Sequence, residues 1–324
     1  MGARRKFLCT LALVVGSTAG LASPLNFKLL SLVPSGAGIV AGFENYPDPH
    51  RHGQLLLSTH SNRVDLDDWL AITGVDSKRR FDEGIEIASP PQRGGLLTEH
   101  LLLVAGQFDR EHIYSAAELN GAERTEFGGE TVMLVRPFTR EQDEMQEVRW
   151  LVILENRIGV LGTPFLVKQV LQRYQTHSDV DPRLKEQLAQ LPNDVSSWNV
   201  LLSPPTGSTK FYVHTGSRWA GLVDDAGLLL VGARFGPKVR VDFLLHAGGS
   251  RGQDFFRRKA ASFMQVFADV LPRSREERGM TNVSLEADSV RGSIEMSKQQ
   301  FELWGEQGTV DRGQQPARPV SHGE

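Results

Sequence analysis

The stretch Leu101-Leu102-Leu103-Val104-Ala105-Gly106-Gln107-Phe108-Asp109 passes from five unbroken apolar residues, through a glycine, to a helix cap. A run with no polar alternation suits a strand covered on both faces. Asp109 ahead of Arg110-Glu111 offers a carboxylate to the free N–H groups of a first helical turn. The same order returns at Leu244-Leu245-His246-Ala247-Gly248 before Asp254. Between the two, Arg149–Leu154 and Arg157–Leu161 flank the tight turn Glu155-Asn156. Gly162-Thr163-Pro164 then opens a helix, with Thr163 at the cap and proline at the first helical position. Thr281–Met296 before Lys298 repeats that hairpin–helix order.

The rest of the chain extends the same grammar. Gly38–Phe43 reads as a first strand. Leu66, Trp69, Leu70 and Ile72 fall near helical spacing, with Gly74 as the stop. Ile85–Ala88 alternates, and Glu126-Phe127-Gly128-Gly129-Glu130-Thr131 is a hairpin tip. Trp198–Leu202 starts a second series of strands, and Leu228–Phe235 and Val239–His246 flank Gly236-Pro237-Lys238. Phe255, Phe256, Ala260, Phe263, Val266, Phe267 and Val270 line an amphipathic helix. Strand pairs alternating with helices specify an α+β fold: antiparallel sheets with helices packed on one face, in two related hairpin-helix modules. The expected organisation is a signal peptide at 1–22, an N-terminal module at 23–195, a C-terminal module at 196–305 and a disordered tail at 306–324.

The signal peptide rests on three features in order. Arg4, Arg5 and Lys6 are a basic head, Phe7 to Val15 is a short apolar core, and Gly20-Leu21-Ala22 offers small residues for cleavage before Ser23. Cleavage leaves no transmembrane segment and places the mature chain in the periplasm or outside the cell. It also removes Cys9, the one cysteine, and with it any disulfide, cysteine-held metal or thiol nucleophile. The 324 residues are 40% apolar and 23% charged with a net charge of −3, a globular composition with no basic field for nucleic acid.

Chemistry-bearing patterns are few. His50 and His52 at i and i+2 point to one side of an extended segment, and with His60 they are the candidate metal ligands. Asp65-Leu66-Asp67-Asp68 reads as a helix start, and it lacks the ligand alternation of a calcium loop. Gly248-Gly249-Ser250-Arg251-Gly252 has the letters of Gly-x-Ser-x-Gly, but it reads as the loop that lets the Asp254 helix begin; there is no Gly-Lys-Ser/Thr phosphate loop and no Gly-x-Gly-x-x-Gly, so no nucleotide or other cofactor is implied. The aromatic, glycine-containing segment Pro204–Gly221 carries Phe211, Tyr212, Arg218 and Trp219, the candidate partner-binding residues.

The order of short motifs resembles a family of uncharacterised exported bacterial proteins with a signal peptide and two α+β modules. It is carried by Leu32-Val33-Pro34-Ser35-Gly36-Ala37, Thr73-Gly74-Val75-Asp76 with Asp82, Gly106-Gln107-Phe108-Asp109 and Leu161-Gly162-Thr163-Pro164. The resemblance covers most of residues 31–305, with Pro47–His60 departing from it, and brings no activity or catalytic residue with it. The expected function is a non-enzymatic binding or structural component of the cell envelope with an envelope protein or peptide as partner. The alternative is a metal-dependent hydrolase using His50, His52 and His60.

Overall fold

The computed structural model describes residues 26–44, 69, 72–74, 81–89, 99–136, 148–202, 226–247, 281–285 and 289–299. Its spine is β3 (Glu99–Gly106), buried from His100 onward. Leu101, Leu103 and Ala105 join one apolar cluster, and Leu102 and Val104 join another. A strand sends successive side chains to opposite faces, so an unbroken apolar run needs cover on both.

On one edge β3 pairs with β2 (Phe81–Ser89), which pairs with β1 (Ile39–Glu44). On the other it pairs with β7 (Ile158–Gly162), followed outward by β6 (Arg149–Leu154), β5 (Glu130–Val135) and β4 (Glu123–Phe127). The second edge of β1 takes β8 (Ser197–Leu201). Beyond it come β9 (Ala226–Phe235), β10 (Val239–Ala247), β12 (Ser289–Met296) and β11 (Thr281–Leu285). All twelve described strands form one antiparallel sheet in the order β11-β12-β10-β9-β8-β1-β2-β3-β7-β6-β5-β4. The strands lie where the alternation and turn residues place them. The sheet continues across position 195, which falls in the connector before β8.

Helices cover both faces, which corrects the expectation that they pack on one. On the first face lie α1 (Phe27–Ser31), α3 (Pro164–Gln175) and α4 (Pro182–Leu188). Their Leu29, Leu30, Leu166, Val170 and Leu184 pack with Val40, Ile87, Leu103 and Val160. On the second, Ile113, Tyr114 and Ala117 of α2 (Arg110–Leu119) pack with Trp69, Leu102, Val104 and Leu151. The physical reason is the two-sided apolar pattern of β3 and β6. Asp109 caps α2 by accepting from the His112 N–H. Thr163 precedes Pro164 in extended geometry, but its hydroxyl makes no cap bond and is buried without a partner. Gly74 has φ of +62°, the left-handed stop expected there.

Several contacts fix helices to the β6–β7 turn and to one another. Tyr174 Oη donates to Glu155 Oε1 at 2.8 Å, Lys28 Nζ reaches Glu155 Oε2 at 2.5 Å, and Arg173 Nε donates to the Ser31 carbonyl at 2.7 Å. Glu155 and Asn156 form the β6–β7 turn at φ 50° and 56°, so the two bonds to Glu155 hold a residue that has no intrinsic preference for that conformation. Tyr114 serves a different gap. β5 and β6 are paired only from Met133 to Val135, and where they diverge its hydroxyl bridges them. It donates to the Thr131 carbonyl and accepts from the Ile153 N–H, both at 3.0 Å.

Removing that hydroxyl in Tyr114→Phe leaves a buried strand donor and its opposite carbonyl unpaired. A loss of about 1–3 kcal/mol is expected in denaturant unfolding. In Gly159→Ala the new Cβ would collide with the Trp69 ring, and a loss of similar size is expected from overpacking.

Candidate functional site

The C-terminal half of the sheet has two unlike faces. Val231, Ala233, Val239, Val241, Phe243, Leu245, Ile294 and Met296 are apolar and buried on one. The alternate residues carry polar groups. The β9–β10–β12 register sets Arg234 beside Arg240 beside Glu295, Gly232 beside Asp242 beside Ser293, and Leu230 beside Leu244 beside Arg291. At the edge, Asn282 and Ser284 of β11 stand beside Ser293 and Arg291.

This polar face becomes a groove because a cover ends over it. The connector after α4 brings Leu191 and Val195 onto Gly232, whose missing side chain lets them approach. Asp194 on that connector is ion-paired with Arg234. Past this contact lies an open groove of about 450 Å³, walled by Gln190, Leu191 and Pro192 on one side and by β11 on the other. That volume is in the range of small-molecule sites. Leu230 and Leu244 form an apolar floor, and Asp242 and Arg240 stand along it.

Charge in the groove is largely closed on itself. Arg240 meets Asp242 two residues away on the same face through Nε at 3.1 Å to both carboxylate oxygens and Nη2 at 2.9 Å to one. The Asp242 carboxylate pushes the Arg240 pKa up further, so the guanidinium stays charged. Lys238 Nζ lies 2.7 Å from Glu295 Oε1. Arg291 is exposed, and its guanidinium has no partner among the described residues.

A second polar site lies at the centre of the sheet. Glu44 and Glu83 face each other across β1 and β2, beside a bulge that leaves Asp82 unpaired between Phe81 and Glu83. Burial raises both carboxyl pKa values, and for Glu83 the neighbouring Asp82 and Glu44 raise it further. Asn26 donates its Nδ2 to Glu83 Oε1, which opposes the rise, and accepts from the N–H groups of Lys28 and Leu29 to cap α1. The adjoining cavity is only about 10 Å³. It sits beside Gly42, where the Trp198 ring from β8 lies in the place a side chain would take. This arrangement suits a carboxylate pair that carries one α1 cap; it is too closed for a substrate.

Among the described residues no three His, Cys, Asp or Glu side chains converge as a metal site. The candidate ligands His50, His52 and His60 lie outside the described residues, as do Phe211, Tyr212, Arg218 and Trp219. The amphipathic run from Phe255 to Val270 and the segments at 1–22 and 306–324 also lie outside them. No helix of the described residues is long and apolar enough to cross a membrane. The groove residues were missed in the sequence because Arg240-Val241-Asp242 reads as ordinary strand alternation. The register shows which residues share its polar side, and among the described residues no element covers it past Pro192.

The raised pKa values set the sign of a pH effect. A glutamate with a raised folded pKa binds protons more tightly when folded. Its stabilising contribution is full below the ordinary glutamate range and is lost as pH rises through the raised value. Glu83→Gln keeps an acceptor for Asn26 and removes the charge. The variant is expected to melt above the parent at pH 7.5, with the difference shrinking toward zero near pH 4.

No protein-family model and no curated protein matches the chain. A solved structure described as "Structure of crystal form I of TP0453" is similar at a TM-score of 0.46 and 11% identity, over 87% of this chain and 98% of that chain. A likeness at that level carries no argument about function. The α+β fold rests on the chain's own strand ladder, and its chemistry on the residues that face the groove.

Proposed function

We propose that this chain is exported to the cell envelope and acts there by binding, without catalysis. The reading is carried by the groove over β10, β12 and β11. It is open, of ligand size and polar, and its one carboxylate among the described lining residues, Asp242, is held by Arg240. A general base must be free to take a proton, and a hydrolytic site needs that base beside a nucleophile or a metal. Asp242 bound in a two-point contact is a structural support for a wall. Export rests on the basic head, apolar core and small-residue exit at 1–22.

The two halves are proposed to be related modules. Going outward from the β1–β8 joint, each side has a three-strand meander. The last strand of a later hairpin then pairs with the third: β7 against β3, and β12 against β10. The motif likeness between Leu102–Ala105 and Leu244–Ala247 falls on β3 and β10, which hold equivalent places in that order.

Expression of the full chain in a bacterial host, followed by fractionation, mass determination and metal analysis, tests this. The expected result is a chain beginning at Ser23 in the envelope fraction, with no bound metal in stoichiometric amount. A chain retained in the cytosol with residues 1–22 intact would overturn export. One equivalent of metal, lost in the His50→Ala/His52→Ala double variant, would favour the hydrolase.

A further inference from the structure

We infer that the groove takes a carboxylate-bearing saccharide, with Arg291 meeting the ligand's charge; this rests on the binding reading above. The charges on the face pair off within the chain: Arg240 with Asp242, Arg234 with Asp194, and Lys238 with Glu295. Of the two cations that line the groove, Arg240 is held by Asp242 and Arg291 has no partner among the described residues. It stands between Leu244 on β10 and Ser284 on β11, next to the apolar floor. A cation beside a low-dielectric surface attracts an anion more strongly than one fully surrounded by water. The planar guanidinium fork also matches the two oxygens of a carboxylate.

Apart from the Arg240–Asp242 pair, the remaining lining is neutral. Asn282, Ser284, Ser293 and Gln190 bring amide and hydroxyl groups that both donate and accept. Ser284 Oγ donates to the Arg291 carbonyl at 3.4 Å, and its lone pairs remain as acceptors. One unpaired cation among uncharged hydrogen-bonding groups, with the Arg240–Asp242 pair closed on itself, complements one acid group among many hydroxyls. Leu230 and Leu244 lie buried beneath these groups, as the low-dielectric backing of the groove. A second free cation, as a multiply charged phosphate favours, is missing among the described lining residues.

The test is calorimetric titration of the full mature chain at low salt. The probes are oligomers of galacturonate, glucuronate and N-acetylmuramate, their methyl esters, and inorganic phosphate. Arg291→Gln removes the charge at an exposed position, and Asn282→Trp blocks the groove from the edge strand; unchanged melting confirms that both fold. At least one acidic oligomer is expected to bind and to lose about ten-fold or more in affinity with Arg291→Gln. The methyl ester should bind as weakly to the parent, and Asn282→Trp should abolish binding. Equal affinity for acid and ester, unaffected by Arg291→Gln but lost in Asn282→Trp, overturns the charge assignment and leaves the groove-binding reading standing. Saccharide binding that survives Asn282→Trp overturns both. Binding of phosphate alone, or of none of the probes, overturns the saccharide assignment.

Discussion

The ladder between β1 and β8 is the joint on which this structure depends. β1 is hydrogen-bonded along both edges, to β2 on one side and β8 on the other. Without the second ladder the described strands would form two sheets, each exposing a row of unpaired backbone groups. Aromatic side chains seated on glycines across the ladders secure the register. Trp198 of β8 covers Gly42 of β1, and Phe43 of β1 covers Gly84 of β2 on the opposite face. A large ring over a bare backbone restores the contact area that the glycine lacks, and it fits at one register only. Phe243 over Gly292 repeats the device between β10 and β12.

A continuous sheet makes its faces continuous, and the groove follows from where the cover stops. α1, α3 and α4 close one face over β1, β2, β3, β7 and β6, and the connector from Gln190 to Val195 is the last of that cover described before β10. The chain places apolar residues where that face is covered and paired charges where it is open. Glu44 and Glu83 sit beneath the cap of α1 beside the joint. Their repulsion at neutral pH is a cost of closing the sheet there, moderated by Asn26. The Arg240–Asp242 pair lies in the opening, half in contact with water. A pair in that setting contributes little to stability and serves to hold shape.

Local structure was legible in the sequence wherever one residue type has one physical use. Asp109 at the start of α2, Gly74 in left-handed geometry, Pro164 opening α3 and the Glu155-Asn156 turn were all readable. So was the two-sided burial of β3, from the run Leu101–Ala105. α4 was missed although Asp181-Pro182 carries the signal, a carboxylate that accepts from the Arg183 N–H ahead of a first-turn proline. α1 was missed as well, because five residues after Asn26 are too few to show a period. The union of the strands into one sheet was not readable, because the pairing of β1 with β8 spans the chain and leaves no local mark. For the same reason Arg291 reads as an exposed strand residue until the register places it in the groove. The sites the sequence favoured, at His50, His52 and His60 and around Trp219, lie outside the residues the structure describes.

The most direct test of this account is native-state hydrogen exchange, followed amide by amide along β1, β3, β8 and β10. A single sheet joined at β1–β8 predicts that the paired amides of β1 and β8 exchange only through the same high-energy opening that exposes β3. Exchange of β8, β9 and β10 through a separate, lower-energy opening, with β1 and β3 still protected, would contradict it. The two halves would then be independent units, and the groove would belong to the second alone.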